Sequence, residues 1–366
     1  MFRRHIWAIL YTIALVGFTV YIALDTFVLE TVYETVEIPE VTTSVTEVTE
    51  ITTVPETTTT VETTAEEITT SEETEATSEA TEASTTTAST ATDATTTVTT
   101  TVATTATTTA ATTATTVATE AETVITDSYY SDGNITITIT EYRENDTTVY
   151  VADVVLSSAE YLQTAFAKNA YGKNVTEKTS DISERVGAIL AINGDYYGAQ
   201  ETGYVIRNGV LYRSTGSSDN EDLVIYADGS FEIISESDVT AEELLNAGAY
   251  QVLSFGPALV QSGKISVTED EEVGKAKTSN PRTAIGIIDD LHYVFVVADG
   301  RTDESEGLSL YELAEFMQSL GVETAYNLDG GGSSTMVFNG EVINNPTSSG
   351  KTIKERKVSD IVYIGY

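Results

Sequence analysis

The sequence predicts an α+β fold: a strand-rich mixed-sheet domain with a few helices, including a βαβ unit, preceded by one transmembrane helix and a disordered stalk. Three observations carry this expectation. From Ser128 onward the chain is dense in tyrosines, β-branched runs and glycine turns, the signature of short strands. Two Ser- or Thr-led capping boxes open short helices within it. Ahead of it lie an uncharged apolar run and then a low-complexity tract, neither of which reads as part of a globular core.

The first segment, residues 1–30, reads as a cytoplasmic tip and a signal anchor. Ile6 to Leu24 carries no charge, and about 19 helical residues reach about 28 Å, the thickness of a bilayer core. Arg3 and Arg4 precede the run and Asp25, Glu30 and Glu34 follow it. This bias keeps the N-terminus cytoplasmic and puts the remainder outside the cell, as a single-pass protein of the cell membrane. A cleaved signal peptide is the alternative, but Tyr21-Ile22-Ala23-Leu24-Asp25 is a poor small-residue cleavage site. The second segment, residues 31–127, is Thr, Glu, Ala and Val without apolar periodicity, so it cannot bury enough surface to offset chain entropy. It reads as an extended stalk, a tether whose full stretch is on the order of 300 Å. Its composition also suits O-glycosylation.

Residues 128–366 form the folded domain, long enough for one sizeable core. Strands are expected at Ile135–Glu141, Thr148–Leu156, Ala188–Asn193, Tyr204–Tyr212, Leu223–Tyr226, Ala258–Val260, Ala284–Ile288, Tyr293–Ala298, Thr324–Asn327, Met336–Phe338 and Ile361–Ile364. Thr240-Ala241-Glu242-Glu243 opens a helix ending near Gly248, and Ser309-Leu310-Tyr311-Glu312 opens one ending at Gly321. In the second helix Leu313, Phe316, Met317 and Leu320 make a core stripe. An Asn-x-Asp strand end followed by an Asn-Gly hairpin occurs twice, after Asn193 and after Asn327, which points to a duplicated element.

Composition narrows the chemistry. The chain has 366 residues, no cysteine and only two histidines, His5 and His292. Disulfides, thiolate sites and multi-His centres within the chain are excluded, while an oxygen-ligated hard cation stays open. Formal net charge is −39, and no Lys or Arg occurs between Arg4 and Arg143. Without a basic stripe, nucleic acid is not an expected partner.

The densest polar motif is Asn327-Leu328-Asp329-Gly330-Gly331-Gly332-Ser333-Ser334-Thr335. Its glycines let backbone approach a ligand closely. If strands Tyr293–Ala298 and Thr324–Asn327 are parallel partners of a βαβ unit, Asp299-Gly300-Arg301 lies beside this loop at the strand carboxyl ends, where open α/β sheets bind ligands. Asn193-Gly194-Asp195 ends a strand in the same manner. Asp195 and Asp329 are then the candidate carboxylate pair. Asn193 and Asn327 suit sugar hydroxyls. Arg282, ahead of a strand, suits a phosphate, with Arg301 and Arg356 as further candidates.

Five motifs in order carry a family resemblance: Ala191-Ile192-Asn193-Gly194-Asp195-Tyr196-Tyr197, Phe255-Gly256-Pro257-Ala258-Leu259, Pro281-Arg282-Thr283-Ala284-Ile285-Gly286, Asp299-Gly300-Arg301 and the Asn327–Thr335 loop. Together they resemble the phosphodiester glycosidase family, over most of residues 128–366. The resemblance implies hydrolysis of a sugar 1-phosphodiester at its glycosidic carbon, with the site near the Asn-Gly-Asp and Asn-Leu-Asp-Gly-Gly-Gly segments. Asp195 stands where the family pattern has a second Gly, which shifts the catalytic expectation toward Asp329. The expected site is thus Asp329, Asp195 and Asn327 for catalysis. Asn193, Arg282, Asp299, Arg301, Gly330, Gly331, Gly332, Ser333, Ser334 and Arg356 are expected to bind a glycan phosphodiester of a cell wall or exopolysaccharide. The sequence assigns neither a metal nor an oligomeric state. Rival readings are a phosphodiesterase that cleaves P–O with a bound cation, and a non-catalytic wall-polymer binding module.

Overall fold

Three of the hairpins turn at an Asn-Gly or Ser-Gly pair, residues that tolerate a left-handed backbone. Asn208 and Gly209 have φ of 51° and 75°, Ser262 and Gly263 of 50° and 68°, and Asn339 and Gly340 of 49° and 85°. Positive φ at both central positions matches the right-handed twist of the flanking strands. Val205–Arg207 thereby pairs with Val210–Arg213, Ala258–Gln261 with Lys264–Ile265, and Met336–Phe338 with Glu341–Val342. The motif read twice in the sequence is a real local repeat, but its copies sit in different sheets.

This computed structural model describes residues 2–36, 122–270 and 279–366. A nine-stranded sheet is central. It contains, in spatial order, Ala258–Gln261, Thr324–Leu328, Arg282–Asp289, His292–Ala298, Thr147–Leu156 and Ile135–Glu144, each antiparallel to its neighbours. Two five-stranded sheets accompany it. The larger core lies between sheets. Ile285, Tyr293, Phe295, Tyr326 and Leu328 from the nine-stranded sheet pack with Leu190, Ile192, Leu223, Leu253, Phe338 and Val362 from the other two. The opposite face is covered by the helix Leu310–Ser319, whose Leu313, Ala314, Phe316 and Met317 bury against Val149, Ala284, Val294 and Val296.

That helix begins as expected, with Ser309 and Glu312 capping reciprocally, and Gly321 ends it at φ 83°. It connects His292–Ala298 to Thr324–Leu328. Arg282–Asp289 is antiparallel to both and lies between them. The two strands are therefore parallel, as the βαβ reading requires, but they are one strand apart rather than adjacent. The register sets Arg282 opposite Ala298 and Thr283 opposite Leu328. The start of one strand is thus held between the carboxyl ends of two others.

Several elements go beyond the expected set, including the strands Leu162–Phe166 and Ala249–Leu253 and the helix Thr179–Val186. The N-terminal helix spans Phe2–Phe27. Leu10, Ile13, Leu15, Val16 and Phe18 on it are exposed. Among the described residues no helix is long and apolar enough to cross a membrane, so the expected transmembrane span is not shown. The stretch with described side chains is shorter than the roughly 20 residues a bilayer needs. The expected stalk falls largely on residues 37–121, outside the described residues. Its two described ends are strands. Thr31–Thr35 pairs antiparallel with Ala170–Lys173, and Val124–Thr126 is the last strand of the nine-stranded sheet.

Candidate active site

Strand carboxyl ends gather three polar segments at one edge. Asp329 donates its backbone N–H to the Gly194 carbonyl at 3.3 Å. The Asn193 side chain donates to the Asp329 carbonyl at 2.6 Å. Its Oδ1 accepts from Thr283 Oγ1 at 2.8 Å and from the Thr335 N–H at 3.3 Å. Asn193 is fully buried and its amide is engaged at both ends. The residue expected to bind sugar hydroxyls is here the latch that joins strand ends of two sheets. Thr283, which supplies one of the latch's hydrogen bonds, was visible only as part of the Pro281-Arg282-Thr283 motif.

Asp329 lies at the base of the glycine loop, 7% exposed. Its two carboxylate oxygens accept from Arg356 Nη2 at 2.9 and 2.7 Å. The same guanidinium donates to Ser333 Oγ at 2.7 Å and to the Gly330 carbonyl at 3.2 Å, and it lies 5.6 Å from the centre of the Tyr196 ring. Burial raises the Asp329 carboxyl above its ordinary range, and Arg356 and Ser333 pull against that rise.

Two more arginines stand close by. Arg282, 4% exposed, donates Nε to the Leu308 carbonyl at 2.9 Å. Its burial, with the Arg301 charge next, depresses it to about 10. Arg301 adopts φ 64°, donates to Asn280 Oδ1 and reaches the Ser348 carbonyl at 2.7 Å. Burial and the Arg356 charge lower it too. Each guanidinium thus feels the next across the mouth of the glycine loop. An anion placed among three repelling cations relieves that repulsion.

The loop glycines serve a purpose the sequence did not disclose. A Cβ on Gly330 would meet the Pro281 carbonyl at 2.8 Å, one on Gly331 would meet Arg301 Nη2 at 2.8 Å, and one on Gly332 would run into Ser348 Oγ. Their lack of side chains lets the protein's own segments close around the arginines. Ser333 is buried and bound to Arg356, and Ser334 is buried below it.

Three expected residues make buried hydrogen bonds of their own. Asp195 is near enough that its charge adds to the rise of the Asp329 carboxyl, but its own oxygens are engaged. It is fully buried, accepts from Arg207 Nη2 at 2.8 Å, and also receives the Ser254 and Tyr197 N–H groups. Arg207 bridges it to Asp360, likewise at 2.8 Å, which makes a buried acid–base–acid cluster. Asn327 donates its amide nitrogen to the Gly256 carbonyl at 2.7 Å and is 1% exposed, so that nitrogen is held by the Phe255-Gly256-Pro257 turn while its Oδ1 has no hydrogen-bond partner. Asp299 accepts from Asn344 Nδ2 and the Asn345 N–H, both at 2.9 Å, and so fixes the loop that carries Ser348. Asn344 and Asn345 gave no sequence signal. Among the described residues, no three His, Cys, Asp or Glu side chains form a set that could hold a metal ion.

The geometry therefore brings Asp329, Arg282, Arg301, Arg356 and the glycine loop together, within the stretch 186–365 that matches the family model for phosphodiester glycosidases. The folded domain is similar to the phosphodiester glycosidase family over this stretch. Among curated relatives, an uncharacterised SPbeta prophage-derived protein of Bacillus subtilis, YomE, is 30% identical over 54% of this chain and 31% of its own length. Mouse N-acetylglucosamine-1-phosphodiester alpha-N-acetylglucosaminidase is 31% identical over 46% of this chain and 35% of its own length. The chain thus spans about a third of each of these relatives. The zebrafish enzyme's catalytic domain, solved in a form auto-inhibited by its pro-peptide, matches the fold with a TM-score of 0.51 at 23% identity. That match covers 68% of this chain and 89% of that one. The phosphodiester glycosidase match contains every residue of the arginine–aspartate cluster.

Proposed function

We propose that this chain is a hydrolase that cleaves a sugar 1-phosphodiester at the glycosidic bond. One observation carries the reading: a buried carboxylate, Asp329, holds Arg356 at the glycine loop, whose Gly331 packs on Arg301 and whose Gly330 lies beside Arg282. Substrate phosphate binds among Arg282, Arg301 and Arg356. Phosphate is a good leaving group, so the demands on the enzyme are to stabilise an oxocarbenium-like carbon and to activate water. Water attacks the anomeric carbon, the bond from that carbon to the phosphate oxygen breaks, and the proton of water passes to Asp329. A sugar and a phosphomonoester leave. Arg356 couples the steps. As its guanidinium turns to the substrate phosphate, Asp329 loses a partner and becomes the stronger base.

The substrate we favour is a wall polymer or exopolysaccharide, met at the cell surface. The uncharged run from Ile6 to Leu24 and the exposed apolar side chains on its helix support an anchored form, with the N-terminus cytoplasmic. Fractionation that leaves the full chain in the soluble phase after cell lysis overturns the anchor. The reaction is tested by hydrolysis in heavy-oxygen water. Label in the released sugar supports the glycosidase. Label in the phosphate means P–O cleavage and overturns the mechanism.

A further inference from the structure

Basic residues are scarce in this chain, 18 against 57 acids, yet four fall within Lys351-Thr352-Ile353-Lys354-Glu355-Arg356-Lys357. The segment is pinned by its backbone. Lys354 N–H donates to the Pro346 carbonyl at 2.7 Å, Arg356 N–H to Gly332 at 3.0 Å, and Val358 N–H to Glu177 at 2.7 Å. Its acid is occupied: Glu355 accepts from the Ser180 N–H at 3.0 Å and from Ser180 Oγ at 2.7 Å, at the first turn of the helix Thr179–Val186. Lys178, just ahead of that helix, makes only a long exposed contact with Asp181 at 3.8 Å.

Between these elements lies a cavity of about 510 Å³, lined by Lys178, Lys354, Arg356 and Lys357 together with Ser348 and Thr352. That size falls within the roughly 300–1,000 Å³ typical of ligand clefts. Two of its lining residues belong also to the site described above. Arg356 holds Asp329, and the Ser348 carbonyl holds Arg301. The cavity therefore continues the arginine cluster and adds three lysines beyond it. A substrate with one phosphate is served by the arginines alone. The lysine side has hydroxyls for a sugar and cations for a second anion.

We propose that this cavity is a second anion subsite, which takes the neighbouring phosphate of a glycan carrying phosphodiesters in series. The substrate class is then a polyanionic sugar-phosphate polymer rather than an isolated sugar 1-phosphodiester. This rests on the glycosidase reading above. The test compares a synthetic sugar 1-phosphodiester with its three-phosphate oligomer, using the full chain. Wild type shows a KM for the oligomer about tenfold lower than for the single unit, one charge-assisted contact's worth. Lys354→Ser/Lys357→Ser removes that advantage and leaves kcat and the single-unit KM unchanged, and Lys178→Ser, from a different element, moves the same ratio. A ratio unchanged in both variants, or both KM values raised alike, overturns the subsite. If wild type turns over neither compound, the glycosidase reading falls. The subsite is then judged by calorimetric binding of the oligomer: weakening of about tenfold in the double variant upholds it, and equal affinity overturns it.

Discussion

At the scale of single residues, Asp329 and Arg356 divide one task. Asp329→Asn keeps the shape and removes the base, so kcat should fall about 10²–10⁴-fold with the melting temperature little changed. Near-normal turnover in a folded Asp329→Asn protein would reassign the base. Because burial raises this carboxyl and the working form is ionised, kcat should rise with pH through its elevated pKa. The pH–rate profile reads this directly, and a flat acid limb would count against Asp329. Gly332→Ala would drive a Cβ into Ser348, whose carbonyl holds Arg301. It should raise KM more than it lowers kcat, in contrast to Asp329→Asn. The sequence made Asp329 legible because an acid before three glycines has few reasons to exist. It did not show that Asp195 is consumed by Arg207, since that partner is remote in the chain and its Ile-Arg-Asn-Gly context reads as a plain hairpin.

At the scale of elements, the site exists because three strand ends meet. The capping box and apolar stripe of Leu310–Ser319 announced the crossover that aligns Asp299 with Asp329. What the sequence could not show was the strand Arg282–Asp289 slipping between them, since periodicity gives strands but not their spatial order. The helix Thr179–Val186 was missed for a physical reason: Lys178 at its N-cap makes no side-chain cap bond, and its first turn is completed by Glu355 from far along the chain. The junction itself is testable. Thr283→Val removes the hydroxyl that meets Asn193 and should cost about 1–2 kcal/mol of stability in denaturant titration. Arg207→Met leaves Asp195 and Asp360 buried without their cation, and a loss of about 3–5 kcal/mol is expected.

At the scale of the whole molecule, buried acids set the response to pH. Burial, with the Glu236 carboxylate next, pushes the Asp222 carboxyl up to about 9. The folded chain keeps this proton at pH values where the unfolded chain, with an ordinary Asp pKa near 3.9, has released it. Stability should therefore fall as pH rises from about 4 toward about 9. Asp222→Asn should flatten that slope in thermal melts recorded across pH, and an unchanged slope would refute the assignment. The general class of fold was readable because turn residues and β-branched runs are local signals. The assembly of the nine-stranded sheet with the two five-stranded ones was not, since its contacts span most of the folded domain.

The pairing of Thr31–Thr35 with Ala170–Lys173 alters what the Thr-rich tract can be. Lys168 holds Glu30 at 2.7 Å and Asn174 holds the Leu29 carbonyl at 3.1 Å, so the domain grips the chain directly after the N-terminal helix. The tract re-enters the same domain at Val124. The domain thus holds the chain on both sides of residues 37–121. The N-terminal helix is therefore placed relative to the candidate site by these contacts of Leu29, Glu30 and Thr31–Thr35, and the number of threonines that follow does not enter that distance.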